Sequence, residues 1–171
     1  NLQSGTKYNA LLPQSSCKKV NLGEGDTGFS VEMIAKQALQ HTNQVTELAN
    51  ELVNETNGSL EAICNNIHSF LYWHLQYKAD GEAQLLRSPA CAWKQRHKWI
   101  DCKSYSIIAS CILLQLGIKH YIRKIKQSAF APESFTHVYV IVPVNQTSGS
   151  LKQGYYTIDG TLQSTQEPNY I

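Results

Sequence analysis

The hydrophobic repeat of this chain changes period once, just after Gly117, and that change constrains the fold more than any other feature. Before it, apolar residues recur at helical spacing. Val31, Ile34, Ala38, Val45, Leu48 and Leu52 make one stripe, which predicts a single amphipathic helix over residues 30–54, closed by "NETNGS". Leu60, Ile63, Ile67, Phe70, Leu71 and Leu75 make a second stripe, with Ser59 placed to cap it. A third helix begins after Asp101, a residue type favoured at N-caps, and stops at Gly117. Beyond it, "KHYIRKI" alternates, "FTHVYVIVPV" is β-branched and aromatic, "NQTSGSLKQG" reads as a turn and "YYTIDG" as a further strand. Helices segregated from a run of antiparallel strands specify an α+β domain.

The remaining segments are less regular. Residues 1–29 are polar and turn-rich and read as an N-terminal arm or linker, leaving residues 30–171 as one domain. Residues 78–99 read as a long loop or broken segment, and a loop of that length inside a domain usually serves a site. With 42% hydrophobic and 16% charged residues, the chain has the composition of an ordinary soluble globule. Its longest apolar run, around residues 107–118, falls short of the roughly 20 residues that span a bilayer.

The net charge of +2 names no partner. Two basic blocks, Arg87, Lys94, Arg96 and Lys98 before the third helix and Lys119, Arg123, Lys124 and Lys126 after it, read as solvated surface rather than a nucleic-acid patch. They flank the candidate site and would also suit an acidic substrate. Five cysteines without a CxxC pair suit a reducing, cytoplasmic setting, against which stand sequons at Asn54, Asn57 and Asn145. The chain starts at Asn1 with neither Met nor an apolar leader, as in a processed product or an excised piece.

The chemistry centres on Cys102, at the first turn of the third helix. A thiol attacks carbonyls as the thiolate, and a helix N-terminus favours that form through its aligned amide dipoles. The N–H groups there also stabilise an oxyanion. The base must come from elsewhere, and the strands supply one. If the last two strands form a hairpin centred near Ser148, Tyr139 faces Thr157, Ile141 faces Tyr155, and His137 stands directly opposite Asp159. Cys102, His137 and Asp159 then serve as nucleophile, base and orienter.

The segments "WIDCKSYSIIASCILLQLGI", "FTHVYVIV" and "YYTIDGTL" resemble the three motifs of the transglutaminase-like superfamily, in its order Cys, His, Asp. The resemblance covers residues 59–162, and "LRSPACAW" is similar to the segment preceding the catalytic motif in bacterial members. It implies a papain-like arrangement in which the cysteine opens a helix packed on an antiparallel sheet whose adjacent strands carry the histidine and aspartate. That superfamily includes protein cross-linking enzymes, peptidases, amidases and members with no known activity. The implied activity is thiol-dependent acyl transfer on amide bonds of a peptide or protein, with no cofactor. Hydrolysis is favoured over transfer because no extra domain positions an amine acceptor.

Around this triad, Trp93 and Trp99 are candidates to wall the cleft and Gln84 to donate to an oxyanion, while Arg87 and Cys91 are candidates to line it. Each has a plainer reading: tryptophan as core, glutamine as surface, Arg87 and Cys91 on a solvent-facing loop. Cys64 and Cys111 lie in apolar helices and read as core; His68 and His74 read as ordinary helix residues. Two other functions compete. One is a binding module on the same scaffold without turnover. The other is a zinc site built from Cys102, His137, Asp159 and His120, against which stands the lack of any close ligand pair in sequence.

Overall fold

The computed structural model describes residues 2–14, 17–24, 31–79, 83–127 and 132–171. The fold is α+β. Its helices are α1 (Thr6–Asn9), α2 (Val31–His41), α3 (Thr46–Asn54), α4 (Leu60–His74), α5 (Pro89–Lys94) and α6 (Cys102–Gln115). Strands β1 (Lys19–Glu24) and β2 (Ala83–Arg87) pair antiparallel; β3 (Tyr121–Lys126), β4 (Phe135–Pro143) and β5 (Tyr155–Ile158) form a second antiparallel sheet in that order.

Helix α6 is the centre of the molecule. Residues 102–113 are all buried, so the helix has no solvent face, as expected of one surrounded by other elements. Helices α2, α3 and α5 and strand β2 pack around it, and β4 lies against it from the sheet. Both of its ends are locally encoded. The Asp101 side chain accepts from the N–H of Lys103 at 2.8 Å. At the other end Gly117 takes φ +69°, and the N–H groups of Ile118 and Gly117 donate to the carbonyls of Leu113 and Leu114, closing a Schellman motif.

Strand β4 is buried on both faces. Val138, Val140 and Val142 join the main core, while Tyr139 and Ile141 make a smaller cluster with Ile125. Ser59 caps α4 by accepting from the N–H of Ala62, and Ile63, Ile67, Phe70 and Leu71 are buried along one stripe.

Two expectations need correction. The helix expected over residues 30–54 is two helices separated by a 3-10 turn, Thr42–Val45. Thr42 Oγ1 donates back to the Ala38 carbonyl at 2.8 Å, a bond that bends helices. The apolar period survives the break: Ile34, Ala38, Val45, Leu48 and Leu52 are all fully buried. The segment expected as a loop holds β2 and α5, whose cap is Ser88 and whose first residue is Pro89.

The N-terminal arm is tied to the rest of the chain. Its junction with the domain lies in residues 25–30, outside the described residues, but its described parts are packed rather than free. Tyr8 and Leu12 enter the core, and the Tyr8 ring meets Phe70 edge-on at 5.0 Å. The Tyr8 hydroxyl donates to Glu55 at 2.8 Å, and Lys7 pairs with the same carboxylate. Strand β1 pairs with β2 in the register Lys19↔Arg87, and a disulfide joins Cys17 to Cys91. Disulfides persist in oxidising compartments, so this bridge runs against the reducing, cytoplasmic setting expected from the cysteine count. No described helix is long and apolar enough to cross a membrane.

Candidate active site

Cys102 is the first residue of α6, the position whose N–H has no partner within the helix. It lies close enough to His137, near the start of β4, to raise that histidine's pKa. The imidazole Nε2–H donates to Asp159 Oδ2 at 2.7 Å, which leaves Nδ1 as the ring nitrogen able to act as a base. Asp159 follows the last residue of β5, and its other oxygen is also held: Thr161 donates to Oδ1 from its hydroxyl at 2.6 Å and from its backbone at 3.2 Å. Cys102, His137 and Asp159 are 2%, 5% and 2% exposed, so the whole relay is buried.

The strands reach this arrangement by a different register from the one expected. Ile141 stands opposite Thr157 and Val140 opposite Ile158, so Asp159 continues the ladder opposite Tyr139 and lies diagonal to His137. The pairing is two residues away from a hairpin centred at Ser148. Its midpoint is Gly149, which takes φ +69° and donates its N–H to the Asn145 carbonyl, while Leu151–Gln153 forms a 3-10 turn on the return. A shift of two residues preserves the face of each side chain, so parity held where register did not. The His137 ring lies beside that of Tyr139, with centroids 5.8 Å apart, on the same alternation.

Gly160 lets the Asp159 turn close against the helices. A Cβ there would fall on Leu71 of α4 and press on Tyr105 of α6. Tyr105 is in turn fixed by its hydroxyl, which donates to the Leu75 carbonyl at 2.8 Å.

Electrostatics favour a charged pair. Burial works against the imidazolium of His137, but the bond to Asp159 and the nearby Cys102 outweigh it, raising the pKa from 6.5 to about 10. Burial likewise disfavours ionised Asp159, yet bonding to His137, its positive charge and Thr161 hold the carboxyl below its ordinary value. Lys103, 1% exposed, places its ammonium 2.5 Å from Asp101 Oδ1, so a buried ion pair brackets the cysteine in sequence. Neither this pair nor the Thr161 contribution was expected from the sequence. The Asp-x-Thr spacing at residues 159–161 was a usable signal for the latter.

The other candidates scatter. Trp93 is core, stacked on Phe70 at 5.5 Å with its indole N–H donated to Asn9, and is not brought to the triad. Trp99 is 54% exposed, three residues before Cys102, with the Lys78 ammonium 5.1 Å from its ring. Arg87 donates from Nε to Gln95 and from its backbone to Ser104 Oγ, which ties β2 to α6. Gln84 lies in β2, but its side chain falls outside the described residues. Cys91 is buried in the disulfide rather than lining a cleft.

His120 bonds to Ser110 Oγ at 2.7 Å and to the Ile118 carbonyl, beyond the third turn of α6 and away from the triad. Among the described residues no group of three or more His, Cys, Asp or Glu side chains is placed to hold a metal ion. Compared with protein-family models, curated proteins and solved structures, the chain matches none.

Proposed function

We propose that the protein is a thiol-dependent acyl-transfer enzyme that cleaves amide or peptide bonds, with a transglutaminase-like triad of Cys102, His137 and Asp159. One observation carries this reading: a buried imidazole is bonded to a carboxylate and lies beside a thiol at the N-terminus of a helix. In this reading the Cys102 proton passes to His137, and the thiolate attacks the amide carbon. A C–S bond forms, and the oxyanion accepts from the Cys102 N–H. On collapse the C–N bond breaks, and the amine leaves with the proton held by His137. Water then gives its proton to His137 and attacks the thioester; the C–S bond breaks and the acid is released. An amine in place of water would give transfer. Hydrolysis is the simpler outcome because water needs no second binding site. The Cys17–Cys91 bridge supports an oxidising compartment as the site of action.

One observation favours a second reading, a binding scaffold without turnover: the thiol is only 2% exposed. The pH dependence of iodoacetamide labelling at each cysteine, read by mass spectrometry in wild type and His137→Ala, separates the two. A nucleophilic Cys102 labels faster than any other cysteine and loses that advantage when His137 is removed. Labelling of Cys102 no faster than Cys64, and indifferent to His137, would reject the enzyme.

A further inference from the structure

Two lysine–aromatic groups lie close to the triad along the chain, one just before α6 and the other at the start of β4. The first is Trp99 with Lys78. Their backbones are locked together by a parallel bridge between Tyr77 and Ile100, in which Ile100 donates to Gln76 and Lys78 donates to Ile100. That bridge runs directly into Asp101 and Cys102, so the exposed indole and its ammonium are held to the segment that positions the nucleophile. Three residues of chain place the Trp99 Cα within about 11 Å of the Cys102 Cα. The second group is Phe135, paired with Lys126 across the β3–β4 ladder. The ammonium groups of Lys124 and Lys126 lie 4.3 and 5.0 Å from its ring centroid. Phe135 is two residues from His137, a span of about 7 Å.

Both groups combine an apolar face with cations at a place where the triad itself holds its charges internally. Asp159 is bonded to His137 and Thr161, and Asp101 to Lys103. Such surroundings attract a substrate with carboxylates on both sides of the reacting amide and apolar surface between them.

We propose that the site takes acidic peptide segments, with Lys78 and Trp99 engaging one side of the reacting amide and Phe135, Lys124 and Lys126 the other. The proposal rests on the thiol-enzyme reading and adds the substrate class to it.

The test needs no known substrate. Alkylation of Cys102 is measured with iodoacetate, which is anionic, and with iodoacetamide, which is neutral, and the ratio of the two rates is taken for each protein. His137 contributes to both proteins compared, so the change in ratio reads the lysines. A charge about 10 Å from the reagent carboxylate is worth roughly a two-fold preference in water. The variant Lys78→Gln/Lys124→Gln/Lys126→Gln is therefore expected to lower the iodoacetate preference about eight-fold at low salt, and the difference should collapse in 0.5 M salt, where screening is about 4 Å. Lys152→Gln, on the exposed turn before β5, should keep the wild-type ratio. The single variants Lys78→Gln and Lys124→Gln, each expected to lose about two-fold, cover the case in which the triple variant does not fold.

A Glu-rich peptide should then protect Cys102 from iodoacetamide at concentrations where a Lys-rich peptide of the same length does not. Equal ratios in wild type and variants would overturn the proposal and leave the thiol enzyme standing. Stronger protection by an oligonucleotide than by the acidic peptide would overturn it in favour of nucleic acid. Failure of both reagents to label Cys102 would overturn the enzyme and this inference together.

Discussion

The first and third turns of α6 carry the same kinds of residue in the same depth of core, and only at the first does a carboxylate stand behind the histidine. Cys111 is 0% exposed, its thiol donates to the Ala38 carbonyl at 3.3 Å, and burial pushes its pKa up to about 12. Beside it, Ser110 bonds to His120, whose pKa burial lowers. Cys102, nine residues earlier and 2% exposed, has a histidine raised to about 10. Burial is common to both ends. The difference is the partner: a hydroxyl cannot compensate a buried imidazolium, whereas a carboxylate can. The lesson is that the charge of a buried histidine is set by the group behind it, not by its depth.

The largest test of that contrast is kinetic. In native protein near pH 7, His137→Ala should slow turnover and Cys102 alkylation on the order of 10²-fold, the usual worth of a positioned base. His120→Ala, at the other end of the helix, should leave Cys102 nearly unchanged. Mass-spectrometric labelling rates check both, and Cys64 or Cys111 reacting as fast as Cys102 would break the comparison.

A change of stability alone should not move the thiol. The Cys17–Cys91 bridge closes a loop of sequence separation 74. Its removal by Cys17→Ser should lower the unfolding free energy by roughly 4 kcal/mol. Denaturant melts with and without reductant measure this, with the Cys102 labelling rate in native buffer expected to hold.

Proton linkage comes next. The folded pKa of His137, about 10, exceeds its ordinary 6.5, so the native state binds this proton more tightly than the unfolded chain. The stabilisation is complete below pH 6.5, declines as pH rises towards 10 and is lost above it. The gap in melting temperature between wild type and His137→Gln should therefore narrow across that window. A gap independent of pH would mean that the imidazole is not charged in the fold.

Two glycines then sharpen the contrast between the ends of α6. Gly160→Ala should cost about 1–3 kcal/mol through collision with Leu71, and should slow Cys102 because Asp159 moves with the turn. Gly117→Ala, strained at φ +69°, should cost about 1–2 kcal/mol without slowing it. Smallest of all, Thr161→Val removes one of the two Thr161 bonds to Asp159 and should cost about 1 kcal/mol, with a modest loss of Cys102 reactivity.

What the sequence determined by itself was whatever local chemistry enforces. Asp101 and Gly117 bound α6, Ser59 opens α4, and the period change separates helices from strands, because caps and repeats act over a few residues. Parity put His137 and Asp159 on one face, since a strand alternates whatever its partner does. Tertiary structure decided everything that depends on distant partners. The β4–β5 register followed the centre of a turn at Gly149, where moving the midpoint by one residue moves the pairing by two. The polar arm became structure only because Tyr8 found Phe70, β1 found β2 and Cys17 found Cys91. The burial of Lys103 beside Asp101 was equally illegible, since a lysine is placed inside only where a packed fold brings it a partner. The separation of Cys102 from Cys111 belongs to both levels. The helix start is written locally, but the histidine that distinguishes them arrives from 35 positions away in the chain.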